Sequence, residues 1–335
     1  MKVLLYFENQ KLIAKSGIGR ALKLQQEALS HTDVVVTTDP KSTDYDILHI
    51  NTYGVESHHM VNKAHKSGKK VVYHGHSTYE DFRNSFIGSN MIAPLFKRYL
   101  VSLYSKADAI ITPTPYSKQL LRGYRLSQPI MPISNGIALE KYAHDDEKIR
   151  QFRDYFDLSD EQKVVMSVGL FFERKGILDF VELAKRHPEY VFIWFGYTDL
   201  RLVPGKISRL IKGDHPRNLI FPGYITGDVI RGAFQGADLF LYPSYEETEG
   251  IVVLEALASK QNVLVRDIPV YHNWLQDGKN SYKARNFDEF ENKMQQILNG
   301  ELTDLRDEGY QLAKARNLPE IGQQLKAVYT SLLGK

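Results

Sequence analysis

The sequence has no cysteine, only two tryptophans and no long apolar run. Without cysteine, disulfide bonds and cysteine-ligated metals are excluded, whereas a reducing cytoplasm is permitted. No apolar run approaches the ~18 residues that a membrane-spanning helix needs. The opening MKVLLYFENQ has a single lysine and a short apolar run that stops at Glu8, which favours a first β-strand over a signal peptide. These absences permit a cytoplasmic location and predict that no helix spans a membrane.

The composition is that of a globular protein with room for two domains. Of its 335 residues, 43% are hydrophobic and 25% are charged. Lys and Arg outnumber Asp and Glu over residues 1–137, whereas acidic residues are in excess over the remainder. Two explanations stay open: chance scatter of solvated surface charge, or a basic patch for an anionic partner.

Short β-branched runs recur along the chain and alternate with segments of helical spacing. The front half contains KVLLYF, DVVVTT, DILHIN, KKVVYH and DAIITP, and the series resumes after a charged segment with KVVMSVG, YVFIWFG, NLIFPG, DLFLYP and NVLVRD. This alternation predicts parallel βαβ units and an α/β fold of two Rossmann-like domains, residues 1–140 and 160–317. We expect ligands in a crevice at the carboxyl ends of the strands. Residues 318–335 should form a helix that crosses back to the first domain.

The stretch EETEGIVVLEALA places a carboxylate, Glu255, inside an otherwise apolar helix, where it needs a partner or a ligand. Gly250, Ile251 and Val252 begin that helix, so their free backbone N–H groups form an anion site. Glu247 precedes the helix start and Glu255 follows it. Because a phosphate repels carboxylates, we expect each glutamate to bind hydroxyl groups on either side of the anion. The alternative is a helix cap plus a glutamate paired to an arginine.

Two further motifs supply groups that suit a diphosphate. In SVGLFFERKG, Arg174 and Lys175 follow a predicted strand and could neutralise the two phosphates. In KSGIGRAL, Gly17 and Gly19 lie at a predicted helix start, where backbone N–H groups could again meet a diphosphate. A third glycine and the acidic residue of a dinucleotide site are missing, which disfavours NAD.

Histidines follow a predicted strand in YHGHSTYED. His74 and His76 lie at the strand end, with Glu80 and Asp81 behind them. A metal site is conceivable, but the spacing lacks the i, i+4 separation of a helical zinc pair. We favour hydrogen bonding of a substrate by at least one histidine and leave open which one; the other would be a buried structural histidine.

Residues 86–106 have the composition of a membrane-surface helix. The apolar residues recur at helical spacing, and cations lie near the edges. This helix either packs on the sheet in the ordinary way or lies on an anionic lipid surface. The apolar positions are Leu95, Phe96, Tyr99, Leu100, Leu103 and Tyr104, and the cations are Lys97, Arg98 and Lys106.

As a set, these motifs resemble the retaining glycosyltransferases of family 4, which have the two-domain GT-B fold. Glu247 and Glu255 resemble the E-x7-E signature of that family, RKG its phosphate-binding motif, SNGI its interdomain turn and SGIGR its glycine loop. HSTYEDF, with His76, is similar to the histidine segment of its diacylglycerol glycosyltransferases. The set looks like the bacterial enzymes that add α-galactose to glucosyl-diacylglycerol. One departure is Leu170, where the family commonly has arginine.

The resemblance implies a UDP-sugar-dependent retaining hexosyltransferase on the inner face of the cell membrane. It would transfer galactose from UDP-galactose to glucosyl-diacylglycerol, a lipid of the type that anchors lipoteichoic acid. Alternatives are a UDP-glucose-dependent diacylglycerol glucosyltransferase, a soluble glycan-directed transferase, an epimerase or hydrolase, and a non-catalytic binding module. No nucleic acid partner is expected. No tightly bound metal is expected either, because the predicted cations and helix start already face the diphosphate; magnesium stays open as an activator.

Each site residue has a role in this hypothesis. Arg174 and Lys175 would stabilise the negative charge that gathers on the diphosphate as the bond to the sugar breaks. Glu255 would hold the ribose of UDP, and Glu247 the hydroxyls of the donor sugar. His76 would position the donor sugar or the acceptor hydroxyl.

Overall fold

The computed structural model describes residues 1–8 and 17–334, in which the β-branched runs form two six-stranded parallel sheets. The first sheet has the strand order β2-β1-β3-β4-β5-β6. Its central strands are buried on both faces, as parallel strands covered by helices are. Its strands are β1 (Lys2–Tyr6), β2 (Val35–Thr37), β3 (Ile47–Ile50), β4 (Lys70–His74), β5 (Ala109–Thr112) and β6 (Ile130–Pro132).

Helices connect these strands and cover the sheet. The last of them shows how local chemistry sets a helix start: Thr114 caps it by accepting from the Ser117 backbone N–H, and Pro115 occupies its first turn. The helices are α1 (Gly17–Ser30), α2 (Val55–Lys66), α3 (Tyr79–Phe82), α4 (Ser89–Tyr104) and α5 (Pro115–Arg122).

The second sheet has the strand order β12-β11-β10-β7-β8-β9, again parallel throughout. The predicted α/β class with two Rossmann-like sheets is therefore confirmed. Its strands are β7 (Val164–Val168), β8 (Val191–Phe195), β9 (Leu219–Gly223), β10 (Leu239–Tyr242), β11 (Val263–Arg266) and β12 (Tyr282–Ala284). The remaining helices are α6 (Asp146–Tyr155), α7 (Ile177–Arg186), α8 (Gly205–Ile211), α9 (Asp228–Gly236), α10 (Ile251–Ala258), α11 (Phe287–Leu298), α12 (Arg306–Lys314) and α13 (Leu318–Leu332).

The described residues divide into two compact units, one around each sheet. The first unit comprises Met1–Glu80, Ile92–Ala138 and Ala315–Lys335, and the second unit comprises Asp81–Met91 and Leu139–Lys314. These bounds differ from the sequence-based ones, because the chain contributes a short excursion, residues 81–91, to the second unit before it returns to the first.

The charged segment between the predicted domains is part of the second unit. It forms α6, which packs against α9 so that the backbones of the two helices approach closely. A Cβ atom at Gly232 of α9 would lie 1.9 Å from the carbonyl oxygen of Lys148 in α6, so only glycine permits this packing. The sequence-based bounds left this segment between the two predicted domains, whereas the structure includes it in the second unit.

The C-terminal helix α13 packs against α1 in the first unit. A Cβ atom at Gly322 would lie 2.1 Å from the Ala28 carbonyl oxygen, so glycine allows the two helix backbones to approach closely. Lys326 forms an ion pair with Asp33 at 2.7 Å, and both side chains are substantially exposed, so the pair adds little stability. Lys335 lies outside the described residues.

Most of the proposed membrane face of α4 is buried in the first unit. Leu100, Leu103 and Tyr104 are at most 1% exposed, because this part of the helix packs on the sheet. For that part, the ordinary packed helix is the correct interpretation. The exposed apolar residues lie earlier, at Ile87, Met91, Ile92 and Leu95. Within the residues that the structure describes, no helix is both long and apolar enough to cross a bilayer.

Candidate functional site

The loop after β10 leads into a helix start with a left-handed glycine. Gly250 has φ 85° and ψ 64°, a conformation that side-chain-bearing residues rarely adopt, and it precedes the first residue of α10. Within the part of the chain that the structure describes, no side chain forms a capping hydrogen bond at this end. The structure therefore places Gly250, Ile251 and Val252 at a helix start, where backbone N–H groups and the helix dipole favour an anion.

Glu247 lies in that loop and is buried, with 6% of its surface exposed. Its Oε1 accepts hydrogen bonds from Lys175 Nζ at 2.5 Å, Ser244 Oγ at 2.6 Å and Tyr242 Oη at 2.7 Å. Burial raises the pKa of Glu247, but Lys175 and Arg174 lower it by more, so the net pKa lies below its ordinary value. Glu247 is therefore a carboxylate at neutral pH.

Lys175 reaches Glu247 because a glycine lets two loops touch. Lys175 ends a 3₁₀ turn between β7 and α7, and the next residue, Gly176, has φ 76°. A Cβ atom at Gly176 would lie 2.2 Å from the Pro243 carbonyl oxygen, so any other residue would push the turn away from the loop after β10. Among the described residues, Lys175 bonds to Glu247 and Tyr242, which leaves one of its three N–H donors for a ligand.

Arg174, in the same turn, contacts other residues of the second unit. Its Nη1 forms an ion pair with Asp81 at 3.0 Å and donates to the Glu246 carbonyl, while its Nε donates to Ser85 Oγ at 2.8 Å. Burial lowers the pKa of Arg174, and the carboxylates of Asp81 and Glu247 raise it by more, so the guanidinium stays charged. The diphosphate role of Arg174 stays a prediction; in the structure it anchors the excursion 81–91.

Glu255 lies inside α10, is 3% exposed and has Tyr142 among its partners. Tyr142 Oη donates a hydrogen bond of 2.6 Å to Glu255 Oε1. Tyr142 ends the 3₁₀ helix Leu139–Tyr142, which follows the SNGI turn. This bond orients the Glu255 carboxylate. The buried glutamate therefore has a structural role, in addition to any contact with a ligand.

The histidines belong to a buried polar network in the first unit, at the ends of β3 and β4. His76 Nε2 lies 3.0 Å from Asn51 Oδ1, and Asn51 Nδ2 donates to Gln25 Oε1 at 2.9 Å. Because that second bond turns the amide oxygen toward the histidine, His76 Nε2 carries the proton. The rings of His74 and His76 stack with their centroids 3.9 Å apart, and His74 Nδ1 lies 3.2 Å from Gln25 Nε2. His49 Nδ1 lies 2.6 Å from Tyr329 Oη of α13.

Burial keeps these imidazoles neutral. It lowers the pKa of His76 to about 3, and burial with the nearby His76 lowers the pKa of His49 to about 3. The pKa of His74 is also lowered, by burial and by the other two histidines. A neutral imidazole can donate through one nitrogen and accept through the other, so the network suits hydrogen bonding of sugar hydroxyls rather than charge.

The glycine motif is described only in part. Gly17 and Gly19 lie in the first turn of α1, Gly17 exposed and Gly19 buried, whereas Ser16 of the same motif lies outside the described residues. Their diphosphate role stays a prediction. Within residues 1–8 and 17–334, no group of three His, Asp or Glu side chains is arranged to hold a metal ion.

Sequence reasoning missed the residues that hold the site residues in place. These residues come from distant parts of the chain and carry no local pattern, so spacing alone could not identify them. The exceptions are Tyr242 and Ser244, which flank a proline at a strand end directly before Glu247. The missed residues are Gln25, His49, Asn51, Ser85, Tyr142, Tyr242 and Ser244, whereas the sequence indicates Asp81 only for its place behind the histidines.

Comparisons with known proteins show the family of this chain. Residues 148–316 match the protein family described as "Glycosyl transferases group 1", and residues 23–141 match "Glycosyltransferase Family 4". The chain is 46% identical over 336 residues to a processive diacylglycerol alpha-glucosyltransferase of Acholeplasma laidlawii, covering 99% of each. It is 28% identical to an alpha-galactosylglucosyldiacylglycerol synthase of Streptococcus pneumoniae (strain ATCC BAA-255 / R6), covering 71% of this chain and 65% of that one.

A solved structure shares the fold. Anabaena Alr3699/HepE, crystallised with UDP and glucose, superposes with a TM-score of 0.74 at 18% identity, covering 99% of this chain and 100% of that one. At this identity the match establishes the architecture alone.

Replacing Glu247 by glutamine should destabilise the protein by about 3–5 kcal/mol at neutral pH, because it leaves the buried Lys175 without its counter-charge. The pKa of Glu247 is lowered in the folded state, so its contribution is present above its ordinary pKa of 4.5 and is lost as pH falls through the folded-state value. Urea unfolding of parent and variant should therefore show a difference in free energy of unfolding that narrows as the pH falls below 4.5.

Glu182→Gln is the matched control. Glu182 pairs with Arg186 one helical turn away on the surface, so its loss should cost less than about 0.5 kcal/mol at any pH. A Glu247→Gln variant as stable as this control would show that the buried pair contributes nothing.

Proposed function

The chain belongs to the group 1 glycosyl transferases, and from that premise we propose that it transfers glucose from UDP-glucose to a diacylglycerol lipid with retention of configuration. The observation that carries the proposal is a sequence identity of 46%, over nearly the full length of both chains, to a relative named as a diacylglycerol alpha-glucosyltransferase. The galactose expected from the motifs is less well supported, because the relative named for galactosyl transfer is the more distant of the two. We therefore favour UDP-glucose over UDP-galactose as the donor.

The second unit supplies the donor side of this reaction. As the bond between sugar and diphosphate breaks, negative charge grows on the diphosphate. The N–H groups at the start of α10 and the remaining N–H of Lys175 then bind the transition state more tightly than the ground state. Because Glu247 and Tyr242 hold Lys175 rigidly, little reorganisation is needed when the charge appears.

The two glutamates take the hydroxyl groups of the donor in this proposal. Glu255 accepts from the ribose, in the orientation that Tyr142 imposes. Glu247 stays ionised and accepts from the sugar through the oxygen that does not bind Lys175. His76, neutral and held by Asn51, accepts from a sugar or lipid hydroxyl at Nδ1.

A lipid acceptor requires contact with a bilayer, and we assign that contact to an apolar stripe on and just before α4. Ile87, 60% exposed, lies in the turn before the helix. Met91 and Leu95 are 80% and 64% exposed and lie four residues apart in α4, so they share one side of the helix. Arg98, one turn further on, is exposed as well. An exposed apolar stripe beside a cation suits an anionic lipid surface.

The donor and the acceptor can be tested together. Incubation with radiolabelled UDP-glucose or UDP-galactose, each with vesicles containing diacylglycerol or glucosyl-diacylglycerol, should give labelled lipid from UDP-glucose, and α-glucosidase should release the label. Labelled lipid from UDP-galactose alone would restore the first sequence-based hypothesis. Hydrolysis of the donor without lipid labelling would contradict both.

Replacing Glu255 by alanine should weaken UDP binding by about 1–3 kcal/mol, because the ribose hydroxyls lose a charged acceptor. Tyr142→Phe is the matched control, since it removes the hydrogen bond from Tyr142 to Glu255 but keeps the carboxylate. Calorimetry with UDP should show a large loss for the first variant and a small one for the second. Equal losses would mean that Glu255 serves only to hold Tyr142.

The double variant Met91→Ser, Leu95→Ser should bind anionic vesicles at least about tenfold more weakly than the parent, because a buried apolar side chain contributes about 1.5–3 kcal/mol. The ratio should persist at high salt, which screens charges but not apolar burial. Vesicle sedimentation at low and at high salt measures the ratio and its salt dependence. Val35→Ser, which changes another exposed apolar position, is the control. Equal sedimentation of double variant and parent would remove the stripe from the interface.

A further inference from the structure

Tyr271 carries a buried hydroxyl for which the fold provides no partner. It ends the short 3₁₀ turn Pro269–Tyr271 after β11 and is 0% exposed. Among the described residues, its hydroxyl oxygen has no hydrogen-bond partner. Buried hydroxyls are nearly always paired, because leaving one unpaired is costly, and phenylalanine would fill the same space without that cost.

The position of this hydroxyl relates it to the helix start already described. A Cβ atom built on Gly250 would lie 2.9 Å from Tyr271 Oη. The hydroxyl therefore lies beside Gly250, the residue that directly precedes α10. Two independent features converge here: an uncapped helix N-terminus and an unpaired buried donor.

The ring is held so that the hydroxyl cannot easily turn elsewhere. Trp274 packs edge-on against it, with ring centroids 5.6 Å apart. Burial raises the pKa of Tyr271, and the carboxylates of Glu247, Glu246 and Glu249 raise it further, so the hydroxyl stays protonated. It can thus act as a neutral donor in a place where the nearest helix end also offers donors.

We propose that the Tyr271 hydroxyl donates a hydrogen bond to the terminal phosphate of a nucleoside diphosphate held at the start of α10. The inference rests on the proposed function, because it assigns a ligand contact within the same donor site. Tyr271 would be a binding residue that adds a side-chain donor to the backbone donors. Gly250 then has two reasons to be glycine: its positive φ, and the space that the hydroxyl and the phosphate share.

The test is calorimetry of the full chain with UDP, UMP and uridine, for the parent and for Tyr271→Phe. The variant should bind UDP about tenfold more weakly, as expected for one lost hydrogen bond to a charged group. Its affinity for UMP and uridine should change less than twofold, because neither has the terminal phosphate. The melting temperature without ligand should not fall, since the hydroxyl has no partner to lose in the free protein.

Tyr282→Phe is the matched control, because the Tyr282 hydroxyl donates to the Thr303 carbonyl elsewhere in the same unit. This control should melt earlier and bind UDP as the parent does. Unchanged UDP affinity in Tyr271→Phe would overturn the inference while leaving the proposed function intact. Equal weakening of UDP, UMP and uridine would also overturn it, since the hydroxyl would then only shape the pocket. If the parent itself does not bind UDP, the proposed function fails and the inference with it.

Discussion

The buried ion pair between Lys175 and Glu247 is the interaction on which the second unit's site depends. Removing both charges from water is costly, and their attraction offsets that cost only if geometry and further hydrogen bonds are good. Tyr242 and Ser244 supply those bonds, and the glycine at 176 brings the two loops close enough for the pair to form. The result is a charged pair already in place close to a helix start whose backbone N–H groups favour an anion.

In the first unit, by contrast, the buried polar cluster around the histidines is neutral. Its histidines are buried at strand ends, and their pKa values are lowered, so the network of His76, Asn51 and Gln25 carries hydrogen bonds without charge. The same sheet architecture thus presents two kinds of polar cluster at carboxyl strand ends. The charged cluster suits a diphosphate, and the neutral one suits hydroxyl groups.

Helix α4 shows where sequence periodicity stops being informative. Apolar residues at helical spacing identify an amphipathic helix, but a core-facing stripe and a membrane-facing stripe have the same spacing. Burial separates them: Leu100 and Leu103 belong to the core, while Met91 and Leu95 are exposed. Exposure depends on what packs against each face, which no local window of sequence contains.

The sequence by itself determined the elements of this protein, because strands, helix starts and the spacing from Glu247 to Glu255 follow from short-range chemistry. Two parallel sheets and a glycine-led helix start could be predicted for that reason. The tertiary structure alone decided the partners: Tyr142 for Glu255, Asp81 for Arg174, and the position of Tyr271 beside Gly250. Such contacts join residues far apart in the chain, and their geometry exists only after the sheet and its loops have assembled.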